Sequence, residues 1–257
     1  MQENVNITIG TKNTDSWSDL KQFTKARIAL GRTGNAIPLQ EVLAFKMAHA
    51  DARDAVHSEL DIENLCSAIA GLQTDCIVVK SMAADRITYL KRPDFGRALN
   101  AESKQVLQNN TENGADISIT VADGLSATAV NEHSVNLLRE LMPLLNKNGF
   151  TIAPICFAKQ ARVAIADEIG FLQKAKLSII LIGERPGLGS ADSMGAYLTF
   201  SPKPGLADNS RNCISNIRPE GLAIGLAAEK ILYFVKEAFR LQLSGVGLKD
   251  EQQLLEG

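Results

Sequence analysis

No stretch of this sequence is apolar for long enough to cross a bilayer. A spanning helix needs about 20 consecutive apolar residues, and the longest apolar runs, such as Leu177 to Ile182, fall far short of that. An excess of one charge is missing as well. Lys and Arg number 27 against 29 Asp and Glu, a net charge of -2, whereas a nucleic-acid partner favours a strongly basic face. Cysteine is sparse and unpatterned. Cys66, Cys76, Cys156 and Cys213 form no C-x-x-C pair, and the 3 His residues, His49, His57 and His133, stand apart from them, so no metal site is expected. Four reduced thiols in a cytosolic protein are the expectation. Residues 1 to about 20 are polar, with no apolar core, which predicts no signal peptide and a chain that stays in the cytosol or in a compartment filled from it.

Sharp catalytic motifs are absent too. There is no G-x-x-x-x-G-K-[ST] phosphate loop, and Gly187-Leu188-Gly189-Ser190-Ala191-Asp192 lacks the final glycine of the dinucleotide fingerprint. Gly124-Leu125-Ser126-Ala127 lacks the pattern of a nucleophile elbow.

What is present is ordinary globular material. The 257 residues are 45% hydrophobic and 22% charged, enough for one large domain or a main domain with an appendage. Residues 1–20 read as a flexible N-terminal arm. Residues 21–110 read as a mainly helical N-terminal subdomain. Pro38 stands at a first turn, and Leu39, Val42, Leu43, Phe45, Met47 and Ala50 give one apolar stripe running to about Val56. A second helix is expected over Ile62 to Leu72, a short strand over residues 74–80, and a basic connector from Asp85 to Arg97, broken by Pro93 and Gly96. His49, Arg53 and His57 share one helix face at spacings of four. The Arg between the two His residues argues for a solvated or interface face over a metal pair.

From residue 111 to 257 the rhythm becomes that of an α/β domain, Rossmann-like and layered, with a mostly parallel sheet. Strands are expected over Asp116 to Ala122, Phe150 to Phe157 and Leu177 to Ile182, separated by a helix capped by Ser126 and stopped at Asn148-Gly149, and by a helix carrying Val163, Ile165, Ile169 and Leu172. The continuous apolar run at 177–182 suits a strand buried on both faces. Ala196 to Phe200 and Cys213 to Ile217 read as further strands, and Pro219 to about Leu243 as the closing helix.

Open parallel sheets bind ligands beyond the carboxyl ends of their strands. Those ends here read as Asp123-Gly124-Leu125-Ser126, Gly183-Glu184-Arg185-Pro186-Gly187 and the region of Arg211-Asn212-Cys213. Glycine lets a ligand approach the backbone, and a carboxylate such as Glu184 accepts charge-assisted hydrogen bonds from amides. Each segment alone is better explained by a structural turn. Together they suggest the edge of a pocket for a large, amide-rich ligand. Asp123 and Glu184 could form an acid/base pair, but no His or Lys motif supports it.

Six ordered segments resemble one family. Ala26 to Arg32, His49 to His57, Tyr89 to Arg97, Val121 to Ala127, Leu181 to Leu188 with Asp192, Ser193 and Tyr197, and Arg211 to Ile217 are similar to the ethanolamine ammonia-lyase light (small) chain, from about residue 26 to about 250. The resemblance implies an adenosylcobalamin enzyme that converts ethanolamine to acetaldehyde and ammonia by radical chemistry. It implies a large (heavy) partner subunit that carries the catalytic residues, a higher-order hetero-oligomer, and a light chain that covers the cobalamin with residues 111–257. Carried over residue by residue, the family's cobalamin contacts fall on Val163, Glu184 and Cys213; Asp123, Ser126 and Arg185 are weaker candidates. No His here sits in an Asp-x-His-x-x-Gly surround, which agrees with a cobalamin that keeps its own base on cobalt. Some members carry an amphipathic N-terminal helix for packing into a bacterial microcompartment; residues 1–20 show no such stripe. A free-standing nucleotide-dependent α/β enzyme and a purely structural subunit are the competing readings.

Overall fold

A computed structural model describes residues 15, 17–24, 26–72, 74–111 and 113–251. Most of the expected arm, including Ile7, Ile9 and Gly10, lies outside the described residues. Of the remainder, Ser18–Phe23 is a 3-10 helix with Trp17 exposed before it. The elements that follow are α1 (Leu39–His57), α2 (Ile62–Ala70), β1 (Cys76–Lys80), α3 (Arg86–Lys91), α4 (Ala101–Asn109), β2 (Ile117–Ala122), α5 (Ala127–Lys147), β3 (Ile155–Lys159), α6 (Ile165–Leu172), β4 (Leu177–Gly183), β5 (Met194–Phe200), β6 (Asn212–Ile217) and α7 (Ile224–Leu241).

The strands form one sheet in the order β1-β3-β2-β4-β5-β6. The pairs β1–β3, β3–β2 and β2–β4 are parallel, and β4–β5 and β5–β6 antiparallel. The expected α/β class with a mostly parallel sheet is therefore what forms. Every residue of β2 and β4 is buried, the consequence of helices on both faces. Side chains alternate between those faces. Ile117, Ile119, Val121, Phe157, Ile179 and Leu181 pack with α2, α5 and α7. Ala122, Cys156, Ala158, Ile180 and Ile182 pack with α4 and α6. Each fully buried Ile or Leu contributes about 1.5–3 kcal/mol.

Local signals set the ends of the helices. The Ser126 hydroxyl accepts the Ala129 N–H at 3.3 Å, capping α5. Asn148 ends that helix, and Gly149 follows at φ 80°. The Asp61, Asp85 and Asn100 side chains cap α2, α3 and α4 in the same way.

Several expectations are corrected. The basic connector is structured: it holds α3 and the 3-10 turn Phe95–Arg97, because Asp85 supplies a cap and Tyr89 is fully buried. Helix α4 escaped the sequence reading, since its apolar residues are few. Residues 150–154 precede β3 instead of belonging to it, and α7 begins at Ile224, after a turn around Pro219. Val163 lies in the turn before α6 and not on a helical stripe. The stripe on α1 exists but faces outward: Leu39, Leu43 and Met47, four residues apart, are 71%, 56% and 66% exposed.

The cysteine expectation is also corrected. Cys66 on α2 and Cys76 opening β1 form a disulfide, their Cα atoms 6.1 Å apart. The turn that carries the chain from helix to strand brings them together, and no spacing motif announces it. Cys156 is buried, which pushes its thiol up to about 12, while Cys213 is exposed. Alkylation should therefore label Cys213 alone in the folded, unreduced chain, Cys156 as well after unfolding, and all four only after reduction. Mass spectrometry of the alkylated chain measures this, and four labels without reductant would contradict the pairing.

Candidate functional site

The parallel crossovers place the site. From β2 the chain passes through α5 to β3 on one side, and from β3 through α6 to β4 on the other. Right-handed crossovers in opposite directions put α5 and α6 on opposite faces, and the strand tips between them are left without a helix across them. At those tips the backbones of β2 and β4 touch. Leu125 N–H donates to Gly183 O at 2.9 Å. A Cβ on Gly183 would overlap Ser126 O, and one on Gly124, which sits at φ 56°, would overlap Gly183 O. Both positions require glycine.

Beside this contact, on the α6 side, opens a cleft of about 400 Å³ lined by Tyr89, Arg162, Val163, Glu184, Arg185 and Tyr197. Glu184 is half-buried at the tip of β4. Its Oε2 accepts the Ser193 hydroxyl at 2.6 Å and the Asn216 N–H at 3.1 Å, so the side chain is held in one orientation. Arg162 stacks on Tyr89, its Cζ 4.3 Å from the ring centre, and its Nε is buried with no partner. Arg86 covers the same ring at 4.7 Å. Burial raises the Tyr89 phenol above its usual range, and Tyr89 Oη donates to Ala161 O at 3.1 Å.

Val163 and Glu184 thus line one cleft. Cys213 approaches it differently from the sequence expectation. It lies near the start of β6, paired with Tyr197, which pairs in turn with Ile180 in the middle of β4. It is therefore not at a carboxyl end. Strands β5 and β6 are covered on one face by α7, through Ala196, Leu198 and Ile214, and Cys213 is exposed on the other. The Cys213 thiol contacts the Tyr197 hydroxyl. Partial desolvation pushes that thiol up, with Glu184 adding to the rise, so it is neutral near pH 7. The Tyr197 phenol is raised by burial and by the same contact. The cleft runs from the tips of β2 and β4 past Tyr197 toward the exposed Cys213.

The weaker candidates divide. Arg185 is exposed at the rim. The Ser126 hydroxyl is occupied by the α5 cap and by donation to Ala191 O at 2.7 Å. Asp123 is buried, its two oxygens taken by the N–H groups of Gln160 and Ala161 at 2.7 and 2.9 Å. It staples β2 to β3 and is not an acid/base partner of Glu184. Arg211 and Asn212 also serve the fold. Arg211 pairs with buried Asp167, and the Asn212 amide binds Gly245 O and Leu248 O. The loop after β4 is clamped from below: Asp192 meets His133 Nε2 at 3.3 Å and Arg218 at 2.8 Å, and Arg218 donates to Gly189 O. Arg162, Tyr89 and Tyr197 were not singled out as site residues from the sequence. Arg162 stands next to Val163, and that adjacency was the signal available.

The sequence family described as "Ethanolamine ammonia-lyase light chain (EutC)" matches residues 14–249. The chain belongs to this family. It is 51% identical over 241 residues to the ethanolamine ammonia-lyase small subunit of Pseudomonas fluorescens SBW25, covering 93% of this chain and 87% of that one. It is 50% identical to the small subunit of Azotobacter vinelandii, over 93% and 89% of the two chains, and 50% identical to that of Pseudomonas aeruginosa UCBPP-PA14, over 94% and 90%. In this light chain no described helix is long and apolar enough to cross a membrane.

The touching strand tips make a direct prediction. Gly183→Ala forces β2 and β4 apart and should destabilise the chain by about 1–3 kcal/mol or more, whereas Gly189→Ala, where a Cβ meets nothing, should have little effect. Thermal melts of the two variants compare them.

Proposed function

We infer that this chain is the cofactor-covering subunit of an adenosylcobalamin-dependent ethanolamine ammonia-lyase, and that a larger chain carries the catalytic residues for converting ethanolamine to acetaldehyde and ammonia. The observation that carries the reading is the cleft at the sheet tips, where Glu184 is fixed through Oε2 while its Oε1 has no hydrogen bond among the described residues.

The residues present fit a corrinoid. Glu184 Oε1 can accept from the amide side chains that fringe a corrin ring, in a charge-assisted bond. The unpartnered Nε of Arg162 offers a donor in the same cleft. Val163 and the Gly124–Gly183 floor supply apolar contact and close approach. Cys213 and Tyr197 extend a flat edge with a neutral thiol that packs and does not ligate. When bound, adenosylcobalamin supplies the radical by homolysis of its Co–C bond. This chain's share is to hold one side of the cofactor, exclude water there and keep the loop after β4 in place through Asp192 and Arg218. Asp123, the other carboxylate near the tips, is committed to backbone N–H groups, which speaks against proton transfer by this chain.

A light chain needs a partner, and the outward stripe of α1 suits one. Leu39, Leu43 and Met47 are large, exposed and uncovered by the chain itself, the pattern of an interface and not of a free surface. We place the large subunit on this side, and the complex in the cytosol or in a microcompartment within it.

Two measurements test the reading. Glu184→Ala in the assembled complex should weaken cobalamin binding by about 1.5–3 kcal/mol, roughly 10- to 100-fold, with the assembly intact by gel filtration. Unchanged affinity would leave a purely structural subunit as the better description. Separately, Leu43→Asp with Met47→Asp should abolish co-purification of the large chain while the variant's own circular dichroism stays native; undiminished co-purification would remove α1 from the interface.

A further inference from the structure

Two lysines stand side by side at the carboxyl end of the sheet. Lys80 closes β1, Lys159 closes β3, and the parallel register makes them partners. Val79 and Ala158, the residues before them, are buried in the core under α4 and α6. Alternation therefore sends both lysines to the opposite face, toward α1. Both line a second cleft, of about 300 Å³, which is separate from the Glu184 cleft and lies on the other side of the Asp123–Gly124 turn. Neither lysine makes an ion pair among the described residues. Strand neighbours lie about 4.8 Å apart, so the two side chains leave the sheet next to each other.

A third cation faces the same cleft. Arg86 is pinned by its Nε to Val56 O at 2.7 Å and by its Nη1 to Gly124 O at 2.9 Å, yet its Nη2 is buried without a partner. Two of the cleft's acidic groups are already committed. Asp123 accepts the Gln160 and Ala161 N–H groups and contacts Arg86 Nη1 at 3.6 Å, and Asp85 caps α3 by accepting the Thr88 N–H at 2.7 Å. Glu59 remains, at the exposed rim. Exposed Lys80 and half-buried Lys159, with no ion pair among the described residues, stand beside the Arg86 guanidinium beyond the carboxyl ends of parallel strands, an arrangement that suits an oxyanion. We propose that this cleft binds a phosphate group, either free or on a small phosphorylated metabolite. This assignment does not depend on the cobalamin reading.

The test uses the full chain and inorganic phosphate at low ionic strength, with chloride of equal ionic strength as the control. Calorimetry should give saturable binding that chloride does not reproduce. Lys80→Met with Lys159→Met should weaken that binding by at least about tenfold, and Lys159→Gln alone by less, while Glu184→Ala leaves it unchanged. With phosphate the parent should gain thermal stability and the double variant should not. A phosphomonoester that binds more tightly than inorganic phosphate would assign the site to a metabolite, and the reverse order to the free ion. Absence of saturable binding, or equal binding by the double variant, would overturn the proposal.

Discussion

The tips of β2 and β4 meet backbone to backbone, and the surfaces around them depend on that contact. Gly124 and Gly183 have no room for a Cβ, and one residue away the Asp123 carboxylate ties β2 to β3 through two N–H groups. A buried carboxylate is costly unless its bonds are made, and these bonds fix the three central strands relative to one another at the end where the sheet is open. Arg86 Nη1 reaches over the same turn to Gly124 O. The result is a rigid ridge with a cleft on each side.

The two clefts differ in chemistry because the two faces of the sheet differ. On the α6 side, Glu184, Arg162 and the Tyr89 and Tyr197 rings form a mixed polar and aromatic edge that leads toward the exposed Cys213 on β6. In the proposed function this edge is one side of a binding site for a large flat ligand. On the α1 side, Lys80, Lys159 and Arg86 gather positive charge in a smaller space. Arg86 and Arg162 both stack on Tyr89, which joins the two clefts through one buried ring.

Support for the tips comes from ion pairs set back from the clefts. The Asp192–His133–Arg218 cluster holds the loop after β4. Arg211 and Asp167 bury an ion pair beside the start of β6; removing one partner of such a pair leaves a charge stranded, at a cost of about 3–5 kcal/mol. Residues in the most family-like segments therefore divide between holding the scaffold, as Arg211 and Asn212 do, and facing open space, as Glu184 and Cys213 do.

By itself the sequence determined the layered α/β class, strands within a residue or two of 116–122, 177–182 and 196–200, the Ser126 cap and the Asn148-Gly149 stop, because these follow from local alternation, capping and turn chemistry. It also pointed to Glu184, since a carboxylate after a glycine at the end of an apolar strand is a local pattern. Only the tertiary structure decided that Cys66 and Cys76 meet, that Tyr89 and Arg162 stack beside Val163, that Asp123 is occupied by backbone N–H groups, and that Cys213 sits at mid-sheet on an uncovered face. Each of those depends on strand order and on which face a helix covers. Both are set by packing between segments far apart in the chain, and periodicity within one segment carries no record of them.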